Sequence, residues 1–192
     1  MNLMPPTPLD PQFVRKLCLL CCHCARNIAY YRVGFANENG AGGLKEPTQF
    51  GATVNSNMLD IAVLEWCKLF ADHKARHHWK RFIRSEDDQK RFLGELLGTT
   101  GLSLNEWKRY LDEMRVYRDK FVAHLDEQNV MRIPSLGTAL ESVFFLYADV
   151  RLSSPAEIFA TSHLANLPDD LSDYYNACRD EGRAAYAVGR NP

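Results

Sequence analysis

Ser103-Leu104-Asn105-Glu106-Trp107-Lys108-Arg109-Tyr110-Leu111-Asp112-Glu113-Met114-Arg115-Val116-Tyr117-Arg118-Asp119-Lys120-Phe121-Val122-Ala123-His124-Leu125 is the stretch that decides the fold class. Its first four residues form a capping box: a serine at the helix cap and a glutamate three residues on satisfy each other's backbone N–H groups. Leu104, Trp107, Leu111, Met114, Phe121 and Leu125 then recur at helical spacing, which predicts one long amphipathic helix. Asp126 to Pro134 reads as the turn that follows it.

Working outward, the same periodicity returns on both sides. Phe13, Leu17, Leu20, Cys24, Ile28 and Tyr31 predict a helix from Gln12 to about Phe35. Met58, Ile61, Ala62, Leu64 and Leu69 predict another from about Asn57 to Phe70, after a Gly- and Asn-rich loop from Asn37 to Gly51. Ser85 reads as an N-cap, with Glu86, Asp87 and Asp88 in the first turn, where the helix dipole favours negative charge. That helix should end near Gly98 or Gly101. Further helices are expected over about Ser135 to Arg151 and Asp170 to Val188, with a short or irregular piece between Pro155 and Pro168. No strand, repeat or linker interrupts the series. The pattern predicts an all-α bundle: a flexible, proline-rich lead over residues 1–11 and a single helical domain over 12–192.

A chain of 192 residues can bury one ordinary core without staples. Its apolar share of 46 % and charged share of 24 % fit a globular protein, and a formal net charge of −1 excludes a generic polyanion binder. Nucleic-acid contact would need a local basic patch. Cys18, Cys21, Cys22 and Cys24 crowd one helical stretch, while Cys67 and Cys178 stand apart. That distribution is unlike a disulfide framework and points to a reducing, cytoplasmic setting. No apolar run reaches the roughly 20 residues of a membrane span.

The functional signal lies within the opening stretch. Arg118, Asp119 and His124 combine a planar cation suited to phosphate, a carboxylate and a proton carrier with an ordinary pKa near ~6.5. On a straight helix, positions six apart differ by about 240° and about 9 Å of rise. Arg118 and His124 therefore do not share a face in one subunit. Two copies packed about a two-fold axis would gather both pairs around one cleft. Such a cleft suits RNA cleavage by the substrate's own 2′-hydroxyl, without metal. His124 would act as general acid or base, Arg118 would hold the phosphate, and Asp119 would orient either one. Lys120 could add a phosphate contact.

Arg118-Asp119-Lys120-Phe121-Val122-Ala123-His124, followed by Leu125-Asp126, resembles the R-x(4–6)-H signature of the HEPN superfamily. It is similar to the abortive-infection-like branch, in which an Arg-Asp-Lys-aromatic run leads into Ala-His and an acidic residue. A weaker likeness extends to Met58–Phe70 with its Trp66. The resemblance implies an up-and-down bundle of four to five main helices plus short ones, homodimerisation with paired motifs, and metal-independent endoribonuclease activity without a cofactor. Such proteins often belong to toxin-antitoxin or phage-defence systems, with an antitoxin as a further partner. Some members are instead non-catalytic modules that bind a protein or nucleotide.

The segment Asp72 to Arg84 is the second feature. Lys74, Arg76, Lys80 and Arg81 are candidate RNA-backbone contacts, with Trp79 or Phe82 available for base stacking. The competing reading is a solvated connector whose Trp79, Phe82 and Ile83 fold back onto the core, and it is favoured for the aromatics. His73 and His77, four apart, would share a helical face as metal ligands, yet the surrounding cations oppose a metal ion. The Cys18–Cys24 cluster lacks a second ligand pair at zinc-finger spacing and reads as helix packing.

Overall fold

Side chains close the helix ends where capping rules place them. Ser103 Oγ accepts from Glu106 N at 3.3 Å, and Glu106 Oε2 accepts from Ser103 N at 2.8 Å, which completes the capping box. Ser85 Oγ accepts from Asp88 N at 3.4 Å. The helix that Ser85 opens ends on Gly101, whose φ of 66° lies in the left-handed region that only glycine occupies freely. At the N-terminus Asp10 Oδ1 accepts from Gln12 N at 3.0 Å, and Pro11 fills the first helical position, where its missing N–H is no loss.

The computed structural model describes residues 10–35, 48–123, 132–159 and 167–188, and every regular element among them is helical. In chain order these are α1 (Pro11–Phe35), α2 (Gln49–Trp66), α3 (Trp79–Phe82), α4 (Glu86–Thr100), α5 (Leu104–Tyr117), α6 (Leu136–Ser153) and α7 (Leu171–Val188). Two wide π-type turns extend helices: Cys67–Ala71 continues α2, and Arg118–Ala123 continues α5. A single 3₁₀ turn, Ala156–Ile158, follows α6. Most of the 1–11 lead and of the loop after α1 lie outside the described residues.

Two boundaries differ from expectation. Helix α2 starts at Gln49 rather than near Asn57, because Thr48 caps it: Thr48 Oγ1 accepts from Gly51 N at 3.0 Å. Gly51 thus lies in the first turn rather than in a loop. The helix through the opening stretch is not uniform either, since its α-helical part stops at Tyr117. Leu104, counted among its apolar positions, is 44 % exposed.

Helix α1 is the central member, packing against α2, α6 and α7. Its buried stripe holds Leu17, Cys24 and Ile28, each fully buried, while Phe13, Leu20 and Tyr31 are only partly covered. All six cysteines are free and buried, so the α1 cluster serves as packing. The aromatic centre is Trp66, 0 % exposed, against Phe70, Trp107 and Tyr110. Tyr110 OH donates to Ser135 O at 2.6 Å, tying α5 to the start of α6. No described helix is long and apolar enough to cross a membrane.

Gly34 of α1 lies directly against Asn55 of α2. A Cβ there would sit 2.1 Å from Asn55 Oδ1 and 2.6 Å from Asn55 Cγ. Asn55 is fully buried, and it cannot step aside cheaply: its Nδ2 donates to Tyr31 O at 3.5 Å and its Oδ1 accepts from Tyr186 OH at 3.3 Å. Gly34→Ala should therefore cost about 2 kcal/mol by overpacking and lower the melting temperature by roughly 4–8 °C, read by calorimetry.

Candidate active site

Arg118 is positioned by bonds that join the ends of α2 and α5. The Cys67 thiol donates to Met114 O at 3.7 Å, the same carbonyl that the Arg118 backbone N–H shares with Arg115 O. From the other side, Arg115 Nε and Nη2 donate to Ala71 O at 3.0 and 2.8 Å. Tyr117 OH donates to Asp60 Oδ1 at 2.9 Å on α2. The first wide turn is thus fastened to the last turn of α5, and the end of α5 to α2. Competing donors at a helical carbonyl are a recognised cause of broken α-helical pairing.

Within the second wide turn, Arg118 Nε donates to Asp119 Oδ1 at 2.8 Å. The Arg118 side chain is 25 % exposed and that of Asp119 59 %. This hydrogen bond holds the guanidinium still more firmly protonated than usual, against a smaller effect of burial. Asp119 therefore pairs with Arg118. Lys120 is half-buried. His124 lies outside the described residues, so its relation to Arg118 is not part of the site geometry.

The neighbouring groups narrow the chemistry. Burial pushes the Cys67 thiol up to about 12, against the opposing pull of Arg118, so it is no nucleophile. Burial also raises the Asp60 carboxyl, which the Tyr117 hydrogen bond partly offsets. Asp60 and Arg115 carry no motif in the sequence. Asp60 and its partner Tyr117 lie 57 residues apart, and no local pattern links them.

The basic segment divides in two. Trp79, Phe82 and Ile83 turn into the core, Trp79 stacking on Phe92 with centroids 4.7 Å apart. They are therefore not stacking platforms for bases. Lys74, Arg76, Lys80 and Arg81 are exposed. Arg76, Lys80 and Arg81 line a groove of about 530 Å³ with Asp10, Phe13 and Arg84, and Lys74 is not part of it. Asp72, where the segment begins, is close enough to Arg118 to favour its charge.

The histidines do not converge as ligands. The His73 ring leans on His78, centroids 4.8 Å apart, while His77 stacks on Phe13 at 5.5 Å. Among the described residues, no group of three or more metal-ligating side chains comes together. His78 is a structural clamp. Its Nδ1 accepts from Lys80 N at 3.3 Å, capping α3, which leaves the proton on Nε2 to meet Phe70 O at 3.0 Å.

Burial holds His78 neutral, lowering its pKa to about 4. The folded state thus binds its proton more weakly than the unfolded chain does. That stability is fully present above pH ~6.5 and is lost as pH falls from there toward about 4. His23, His73 and His77 are shifted in the same direction, each first by burial. Urea midpoints should fall across that window, and His78→Gln should flatten the fall.

No protein-family model matches this chain, and no curated protein or solved structure matches it either.

Proposed function

We propose that this chain is a HEPN-type, metal-independent endoribonuclease whose site is completed in a homodimer. The observation that carries the reading is the Arg118 guanidinium: largely buried, held at 2.8 Å by the adjacent carboxylate, and set on a wide turn that closes a helix. Wide turns of this kind recur at functional sites, where they re-aim side chains. A preset guanidinium suits a phosphate gaining negative charge, because its cost of ordering is met in the fold.

The motif resemblance supplies the rest. His124 moves protons: the substrate's 2′-hydroxyl gives one up and attacks the adjacent phosphorus, the bond from phosphorus to the 5′-oxygen breaks, and that oxygen leaves as a hydroxyl after taking a proton. The dimer brings a second Arg118–His124 pair to the cleft. Ile61 and Val116, 42 % and 50 % exposed, flank the Asp60–Tyr117 bond and offer apolar surface beside the motif for that second copy. A toxin-antitoxin or phage-defence role, with an antitoxin partner, follows from the same resemblance.

The test is incubation with total RNA in EDTA. Cleavage leaving 2′,3′-cyclic phosphate ends is expected. Activity that EDTA abolishes would refute the metal-free mechanism. Intact RNA in the presence of dimeric protein would favour a non-catalytic HEPN module.

A further inference from the structure

The groove beside α3 gathers basic side chains. Among the described residues, Arg76, Lys80, Arg81 and Arg84 line it together with one carboxylate, Asp10, around about 530 Å³ of space. The whole chain carries a formal net charge of only −1. Four cations around one groove therefore concentrate positive potential where a polyanion would be drawn.

These cations are presented by a fixed frame. Trp79, Phe82 and Ile83 anchor the same short segment in the core, and His78 fastens it at both ring nitrogens. Among the described residues, Arg76 and Arg81 join no ion pair, and Lys80 rests over the Trp79 ring at 5.4 Å. Phe13 also lines the groove, and its ring stacks on His77 at 19° to it. A ring braced in this way is a firm wall for a flat partner.

We infer that this groove binds single-stranded RNA, its phosphates on Arg76, Lys80, Arg81 and Arg84 and a base against Phe13. Guanidinium forks match phosphate oxygens, and an aromatic wall takes the face of any base. A duplex would hide its bases from the ring. An acidic peptide would use the cations but leave Phe13 without a role. Binding here stands on the groove's own residues and does not depend on cleavage at Arg118.

The probe is a short labelled 2′-O-methyl oligouridylate, which has no hydroxyl with which to attack its phosphate. Failure of cleavage and failure of binding are then separate results. Affinity is read by fluorescence anisotropy as salt is raised. Arg76→Ala and Arg81→Ala should each flatten the plot of log K against log salt by about 0.7. Phe13→Leu should weaken binding about tenfold with the slope unchanged. Lys108→Glu, an exposed change on α5, should alter neither affinity nor slope. Wild-type binding by the Arg76→Ala/Arg81→Ala double variant, with its melting temperature intact, would overturn the assignment. So would displacement of the oligonucleotide by poly-glutamate at equal charge, which would mark the groove as a site for an acidic protein.

Discussion

Arg118→Ala is expected to slow RNA cleavage by about 10²–10³-fold while the fold survives. The side chain ends in a charge-assisted bond to Asp119 rather than in the core, so little packing is lost with it. On the proposed mechanism, the change removes the group that would balance charge growing on the phosphate oxygens. Arg118→Lys should recover little, because an ammonium cannot bond Asp119 and grip the phosphate through one planar fork. Asp119→Asn should have a smaller effect, about tenfold, since an amide still accepts from Nε but adds no charge. Initial rates on a labelled RNA in EDTA, with circular dichroism as a check on folding, measure all three. Wild-type rates in Arg118→Ala would remove this residue from the mechanism.

Trp66→Ala should be the most damaging change to stability, at about 4 kcal/mol. The side chain is fully buried and touches three rings, Phe70 and Tyr110 at 5.2 Å and Trp107 at 5.9 Å between centroids. Its Nε1 donates to Ser142 Oγ at 2.9 Å on α6, so one residue joins α2, α5 and α6. A loss of this size is a large fraction of the roughly 5–15 kcal/mol that a domain possesses. Trp66→Phe keeps the ring contacts and forfeits the hydrogen bond. It should cost nearer 1–2 kcal/mol, because Ser142 still donates to Ala139 O at 2.8 Å. Urea midpoints at constant slope give both values. A fall in slope for Trp66→Ala would indicate that cooperativity had been lost as well.

The parts of this fold legible from sequence are those decided locally. Ser85, Ser103 and Gly101 lie at helix ends because their side chains or backbone preferences act within one turn. The stripe through Leu17, Cys24 and Ile28 is readable because helical period and burial coincide. The early start of α2 was less legible: Gly51 and Asn55 break the apolar rhythm, and the signal is a single threonine after Pro47. The wide turn at Arg118 has no local signal at all. Next to it the Cys67 thiol donates to the Met114 carbonyl, a contact between groups 47 residues apart. The groove was half legible. Its cations form a visible cluster, but Asp10 and Phe13 reach it only through the packing of α1. Trp79 and Phe82 were legible as core residues, the favoured of their two readings, and both are buried.

The pairing of α1 with α7 bears on how the chain is made. Tyr30 OH donates to Glu181 Oε2 at 2.6 Å across 151 positions, and Arg32 Nη1 donates to Tyr175 OH at 3.0 Å across 143. Helix α1 leaves the ribosome early, yet one of its flanks stays bare until α7 has emerged. At about 5–20 residues per second, that interval lasts on the order of ten seconds. During it, α1 can bury its other flank on α2 but cannot close the core. Long-range pairing of this kind slows folding and leaves an apolar surface for chaperones to cover until synthesis reaches α7.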